Sequence, residues 1–412
     1  MESLVSHMFG GQFANKKVWL SGHTGFKGSW LAAWLLELGA RIHGFSLEPP
    51  TGPSLFEQLG LTSKVEHEIA DIRDKNAVEK SILSATPDYV FHLAAQPIVR
   101  LSYQEPVATY ETNVMGTVHV LEALRSLRQP CAAVFVTTDK CYLNLGVPHA
   151  YCEKDALGGH DPYSSSKAAA EIAIAAWRSS FFDPRGTGIL PVGETGFQPV
   201  PRERSAGETP TGPKGKMPVP PPVKIASARA GNVIGGGDWA SDRIVPDAIR
   251  SLGHGEPIPI RNKHATRPWQ HVLEPLSGYL WLAAILSRPS LRPQNEAAEF
   301  SSAFNFGPPL ESNRTVQELV EEVLKHWPGN WLDRQEPGAL HEAALLNLAT
   351  DKANALLGWH SVWSFEQSVA AAMHWYRSTA TGNHAAQRTR EQIIAYAEHA
   401  RNLGMAWAGN SG

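Results

Sequence analysis

Lys17-Val18-Trp19-Leu20 runs straight into Ser21-Gly22-His23-Thr24-Gly25-Phe26-Lys27-Gly28, and an apolar helical pattern then extends from Ser29 to Leu38 and is closed by Gly39. A short apolar strand, a glycine-rich turn and a helix in that order form the opening unit of a dinucleotide-binding α/β fold. The glycines are spaced G-x-x-G-x-x-G. Gly22 permits the tight turn, Gly25 lets backbone approach a pyrophosphate, and Gly28 lets helix and strand pack closely. Glycine also marks ordinary strand–helix turns, so the order of the elements carries the reading.

Outward from that unit the pattern repeats. Ile42-His43-Gly44-Phe45 is a second strand, followed by Ser46 and, slightly displaced, Glu48. An acid at this point holds an adenosine ribose through its 2′-hydroxyl, which favours NAD over NADP. Asp71-Ile72-Arg73-Asp74 closes the next strand and is either an adenine contact or a surface turn. Tyr89 to Leu93 leads into Ala94-Ala95-Gln96, small enough to pass beneath a cofactor. The cofactor-facing candidates are Gly22, Thr24, Gly25, Phe26, Lys27, Gly28, Asp71, Ile72, Ala94 and Gln96.

Ala132-Ala133-Val134-Phe135-Val136 has the length and composition of a buried parallel strand. It ends in Thr137-Thr138-Asp139-Lys140-Cys141-Tyr142, and Tyr163-Ser164-Ser165-Ser166-Lys167 then opens an alanine-rich helix running to Trp177. Tyr163 and Lys167, four apart, lie one above the other on one helix face. A phenol titrates near pH 10, and a neighbouring ammonium favours phenolate, making it a usable base nearer neutrality. His23 and His92 read as packing or cofactor-adjacent residues, and Trp30, Trp34 and Trp177 as core or interface.

The chain has 412 residues, a charged fraction of 19% and a formal net charge of −3. That length supports a large core and two lobes. The charge argues against nucleic acid or an acidic membrane as the main partner, because either favours a basic excess. Cys131, Cys141 and Cys152 are odd in number and lack metal-ligand spacing, so no metal is expected. A reducing cytoplasm fits them better than secretion. No signal-like N-terminus or membrane-length apolar run is present.

The glycine pattern, His92-Leu93-Ala94-Ala95-Gln96, the Thr-Asp strand end and Tyr-x-x-x-Lys, in this order, resemble the extended short-chain dehydrogenase/reductases. Two longer strings, Ser21 to Trp30 and Arg229 to Trp239, with Arg267-Pro-Trp-Gln-His271, resemble the CDP-glucose group of the nucleotide-sugar 4,6-dehydratases. The resemblance implies a Rossmann-type doubly wound parallel sheet with a smaller mixed α/β substrate lobe. It places the NAD-binding part at 15–232 and 268–308, and the substrate lobe at 233–267 and 309–412. It implies Tyr163 as base and Lys167 as its partner, also holding the nicotinamide ribose. Thr138 would orient the sugar's C4 oxygen, and Asp139 would be the general acid for the departing C6 hydroxyl. Lys140 stands where many relatives carry glutamate, and is either the C5 base or an electrostatic aid. Asn232, Arg243 and Arg267 match substrate-contacting positions, with Arg261 a further candidate. The implied substrate is CDP-glucose, the cofactor NAD, and the assembly a homodimer through the helices after strands four and five. Other readings are a different nucleotide-sugar dehydratase or epimerase, or an NAD-occupied scaffold protein without activity.

Arg261 to Trp269, with Pro257 to Ile260 before it, reads as a short hairpin, and no function is assigned beyond Thr379. Residues 184–222 are dominated by proline, glycine and threonine and hold a near repeat, Thr187 to Val192 and Thr195 to Val200. Such composition builds no core and is expected to be flexible or extended. The segment joins a helix end to a strand start, opposite the carboxyl ends where doubly wound sheets bind ligands. Deleting 184–222 is therefore expected to leave turnover unchanged in a steady-state assay; a large loss would show that the segment takes part.

Overall fold

The structure, a computed structural model, describes residues 7–182, 222–288, 291, 300–334, 346–380, 382 and 384–409. Apart from Pro222, the inserted segment 184–222 lies outside the described residues. The central sheet has strands β1 (Lys17–Ser21), β2 (Arg41–Ser46), β3 (Glu66–Ile69), β4 (Tyr89–His92), β5 (Cys131–Val136), β6 (Val223–Ala230) and β7 (Ala303–Phe306). All pair in parallel, in the order β7-β6-β5-β4-β1-β2-β3. This is the doubly wound Rossmann architecture expected from the alternating pattern. The order turns back beside β1, where β2 lies on one side and β4 on the other, so the ligand crevice falls at their carboxyl ends.

Apart from the polar edge strand β3, the strands are largely apolar on both faces because helices cover both. Side chains alternate along a strand, and Val18 and Leu20 of β1 enter one core while Trp19 enters the other. The first core packs under α1 (Phe26–Glu37) and continues to the C-terminal helices. The second packs under α2 (Lys75–Ala85) and, after α3 (Val99–Gln104) and α4 (Pro106–Tyr110), under α5 (Gly116–Arg125) and α6 (Pro162–Trp177). Trp30 and Trp34 are buried in the first core, and Trp177 packs against the second.

The remaining elements form short pairs and helices beyond β6. They include α7 (Ile244–Gly253), α8 (Leu273–Ser287), α9 (Val316–His326), α10 (Asp351–Leu357), α11 (Phe365–Ala380) and α12 (Ala385–Asn402). The expected hairpin is absent. Ile258–Ile260 pairs in parallel with Trp331–Asp333, and Thr266–Pro268 pairs antiparallel with Asn313–Thr315. Each partner lies far along the chain, so local turn residues said nothing of the pairing.

The stretch after Thr379 closes the fold. Trp407 stacks on Phe9 at 5.2 Å and on Tyr396 of α12 at 5.7 Å, over Trp34 of α1. Arg390 of α12 pairs with Glu37 of α1 at 2.9 Å. Buried Glu274 of α8 accepts from the N–H groups of Trp363 at 2.8 Å and Val362 at 3.0 Å, and from the Tyr396 hydroxyl at 2.8 Å. Burial pushes its carboxyl up to about 7, against the pull of those donors. Among the described residues, no helix is long and apolar enough to cross a membrane.

Candidate active site

The residues after β5 are fixed from several sides. The Thr137 N–H donates to the Ala228 carbonyl of β6 at 2.9 Å, and its hydroxyl donates to Glu171 Oε1 at 2.5 Å. Thr138 caps the single turn Asp139–Cys141, accepting at Oγ1 from the Lys140 N–H at 3.4 Å. The same hydroxyl donates to Asp139 Oδ1 at 2.9 Å.

Helix α6 begins where its sequence provides a start. Asp161 accepts from the Ser164 N–H at 2.9 Å, and Pro162 occupies the first helical position, where a missing N–H is harmless. The Tyr163 N–H, one of the unpaired donors of a helix start, donates to Ser102 Oγ of α3 at 3.1 Å. Tyr163 and Lys167 are both buried and feel the residues of the β5 turn. Burial pushes the phenol up to about 12; the Thr138 hydroxyl pulls it down, the Asp139 carboxylate pushes it up, and the Arg243 guanidinium pulls it down. Burial draws the Lys167 ammonium down to about 8, and the Glu171 carboxylate opposes that fall. Thr138, Asp139 and Tyr163 thus lie together, with Lys167 one helical turn from the phenol. Contrary to the expectation from its spacing to Lys167, the resting phenol does not move toward neutrality, because burial outweighs the charges around it.

Behind the pocket lies a buried ion pair. Glu171 Oε2 accepts from Arg229 Nη2 and from Ser227 Oγ, each at 2.8 Å. Arg229 Nη1 donates to the Tyr142 hydroxyl at 2.7 Å, and that hydroxyl donates to Asn305 Oδ1 at 2.7 Å. The pair therefore joins α6, β6, β7 and the turn bearing Asp139. Removing one partner of such a pair leaves a buried charge, at about 3–5 kcal/mol.

The glycine turn fits a dinucleotide. Gly22 adopts φ +75, and a Cβ there would lie 2.7 Å from the Ala94 nitrogen; at Gly28 a Cβ would lie 2.1 Å from the Gly22 carbonyl oxygen. Gly25 caps α1, whose first turn carries no acid to repel a phosphate. Thr24 Oγ1 lies 2.7 Å from Ser46 Oγ and donates to the Leu47 carbonyl at 3.0 Å, fixing the turn against β2. Phe26 packs against the first core. Lys27 reaches inward, 3.5 Å from the Tyr279 hydroxyl, where burial draws its ammonium down to about 8. The cations Arg243 and Lys167 add to that fall and the Asp139 carboxylate opposes it. Its side chain thus lies beside Asp139 and Lys167.

Other candidates are used within the protein. The Asp71 carboxylate grips Arg73 at 2.6 and 2.9 Å, and Ile72 is buried beneath Gly116. Only backbone at Ile72 is left to meet a cofactor. The Gln96 amide donates to Thr109 Oγ1 at 2.9 Å and its carbonyl accepts from the Ile98 N–H at 2.5 Å. His92 bridges Ser21 Oγ at 2.8 Å and Thr117 Oγ1 at 3.2 Å, a packing role. His23 lies 2.6 Å from His67 Nδ1, also buried.

On the opposite wall, Arg243 Nη1 donates to Asp238 Oδ2 at 2.9 Å while feeling Tyr163. Arg267 is buried and donates to the Thr266 carbonyl at 3.0 Å. Arg261 donates twice to Asp242 Oδ1 at 3.0 Å, away from the tyrosine's immediate neighbours, and Arg100 approaches the same oxygen at 3.5 Å. Asn232, half-buried, follows β6 directly.

A family model described as GDP-mannose 4,6 dehydratase matches residues 20–193. A protein of Salmonella typhimurium named CDP-glucose 4,6-dehydratase is 42% identical over 383 residues, covering 92% of this chain and 96% of that protein. The chain belongs to the nucleotide-sugar 4,6-dehydratases, within the extended short-chain dehydrogenase/reductases. A dTDP-glucose 4,6-dehydratase of Xanthomonas campestris is 22% identical, covering 88% of the chain and 94% of that protein. Two solved structures share the fold. A UDP-glucose 4-epimerase of Thermotoga maritima with UDP-glucose has a TM-score of 0.66 at 19% identity, over 88% of this chain and 99% of its own. A dTDP-glucose 4,6-dehydratase of Bacillus anthracis in complex with NAD has a TM-score of 0.64 at 18% identity, over 88% and 97%.

Sequence reasoning about this dehydratase assigned no role to Ser102, Glu171, Asp238 or Tyr279, which support the site. Two carried a signal: Asp238 lies within the string Arg229 to Trp239, and Glu171 lies four residues beyond Lys167 on the same helix face. Gly231 also has a site role: a Cβ there would lie 2.8 Å from Asp139 Oδ2 and 3.4 Å from Pro268 Cγ. Gly231→Ala is expected to push the Asp139 carboxylate aside and lower kcat about a hundredfold. The thermal midpoint, measured in parallel, should stay near the wild-type value.

Proposed function

We propose that this chain removes water from CDP-glucose to give CDP-4-keto-6-deoxy-glucose, using NAD held at the glycine turn. The observation that supports the reading is that Tyr163, Thr138, Asp139 and Lys167 are all buried, with Thr138 and Asp139 acting on the phenol and Lys167 on Lys27 of that turn. The named Salmonella relative supports the choice of nucleotide sugar. When bound, NAD supplies a hydride acceptor for C4 and returns the hydride to C6.

Tyr163 takes the C4 hydroxyl proton, with the Thr138 hydroxyl orienting that oxygen. Lys167 stabilises the phenolate and is placed to hold the ribose beside it. Asp139 protonates the leaving C6 oxygen, and Lys140, next on the turn, serves as C5 base or as an electrostatic aid. Arg243, Arg267 and Asn232 face the sugar nucleotide, with Arg261 further out. Burial of the pocket walls excludes water, which strengthens each of these interactions. An epimerase would not need the Asp139 acid, and a silent scaffold would not need the Tyr163–Lys167 pair. The three free cysteines support a reducing cytoplasm as its compartment.

Purified protein is expected to convert CDP-glucose to a 4-keto product, followed by its absorbance in alkali. Tyr163→Phe should lower kcat at least about a hundredfold with the fold intact. Turnover of a different nucleotide sugar alone, or equal activity in the variant, would overturn the reading.

We also infer a homodimer. Val107, Tyr110, Val114 and Met115 line one apolar groove on α4 and the turn after it, and Ile172 of neighbouring α6 is exposed. Val107 and Ile172 are 70% and 58% exposed, more than solvent-facing apolar side chains need be. A second copy bringing the same helices would cover them, as a two-fold interface requires. Val107→Glu with Met115→Glu is expected to halve the mass measured by sedimentation; an unchanged mass would place the interface elsewhere.

A further inference from the structure

The ion pair behind the pocket has more to do than fill space. Glu171 follows Lys167 by one helical turn, and its carboxylate is 3% exposed. Its two oxygens take three donors from three places: the Thr137 hydroxyl, the Ser227 hydroxyl and the Arg229 guanidinium. Thr137 immediately precedes Thr138, and Arg229 continues to the Tyr142 hydroxyl on the far side of the Asp139 turn. One carboxylate therefore touches the strand end bearing the hydroxyl and acid, and stands under the helix bearing the base and its cation.

We propose that Glu171 is a positioning residue that keeps Lys167 charged and holds the Thr138–Asp139 turn in register with Tyr163. It touches neither the sugar nor the cofactor, and the inference rests on the dehydratase reading of the pocket. The charged and titratable groups within range of Lys167 come from every side. Glu171 lies on its own helix, Tyr163 one turn before it, and Cys141 on the β5 turn; Lys27 comes from α1 and His92 from β4. Burial works against the ammonium, and its charge in turn draws the Lys27 ammonium down. Burial holds His92 neutral, its imidazole drawn down to about 3. Burial also raises the Cys141 thiol, leaving it uncharged. Glu171 is then the fixed anion that opposes the loss of the Lys167 proton. Arg229 in turn helps keep Glu171 ionised: burial pushes its carboxyl up, and the guanidinium with the Thr137 and Ser227 hydroxyls outweighs that, so the net shift is down.

The sign of the test follows. Without the Glu171 charge, Lys167 gives up its proton at lower pH, so the alkaline limb of kcat/KM moves toward neutrality. Glu171→Gln alone leaves Arg229 buried and unpaired and endangers the fold, so the informative variant is the double neutral replacement Glu171→Gln with Arg229→Met. In that variant the alkaline limb should fall by roughly one pH unit or more, and Glu171→Asp should restore it. A double variant that folds and keeps the wild-type limb would overturn the proposal and leave the pair as structural filling. A second readout needs no substrate: trace acetylation of Lys167 by acetic anhydride, followed by mass spectrometry across pH. Its midpoint should move down in the double variant. An unmoved midpoint overturns the proposal, and failure of CDP-glucose to turn over in wild type is a separate result that leaves this readout in place.

Discussion

The carboxylate of Glu171 and the guanidinium of Arg229, 2.8 Å apart and both nearly sealed from water, hold the catalytic part of the molecule together. Two charges this deep are tolerated because both Glu171 oxygens and both Arg229 Nη groups find partners, leaving only the Arg229 Nε–H unpaired. Thr137, Ser227 and Tyr142 supply the hydrogen bonds, and the guanidinium lies 4.9 Å from the Tyr142 ring centroid. The pair spans strand, helix and turn at the carboxyl end of the sheet. It fixes there what a flexible loop would leave to chance.

The sheet explains why that end is where chemistry collects. Six of the seven parallel strands, all but the polar edge strand β3, bury apolar residues in the two cores, so chemistry collects at their carboxyl ends. At β1 and β4 the chain passes so close that only glycine fits at 22, against the backbone of Leu93 and Ala94. At β5 the next residues bear a hydroxyl and an acid, and at β6 Gly231 makes room for that acid. Pocket and cofactor cradle are thus two consequences of one packing geometry.

The C-terminal third stabilises this arrangement from outside. Glu274 ties α8 to the segment before α11 and to α12, and Trp407 closes an aromatic cluster with Phe9, Trp34 and Tyr396. Each buried tryptophan of that kind contributes several kcal/mol to a total stability of about 5–15 kcal/mol. The two ends of the described chain meet on α1, the helix that begins at the glycine turn. Ordering of the cofactor cradle is therefore linked to ordering of the chain ends.

Much of this was legible in the sequence because it is local. The glycine spacing, the Thr138-Asp139 strand end and the four-residue step from Tyr163 to Lys167 each express a backbone constraint within one element, and the structure gathers the residues of the last two around one pocket. The partners of the strands at 258–260 and 266–268 were not legible, since pairing across long loops leaves no mark in the neighbouring residues. Nor was the fate of side chains that had two possible uses: Asp71 turns to Arg73, Gln96 to Thr109, and Lys27 toward Asp139 and Lys167. Glu171 was a glutamate on a helix until the fold buried it against Arg229. The sequence alone determined which chemical groups stand at which strand ends, because period and turn chemistry act over a few residues. Tertiary structure decided which of those groups face one another and which are charged, because burial and Coulomb forces depend on neighbours that the chain brings together only when folded.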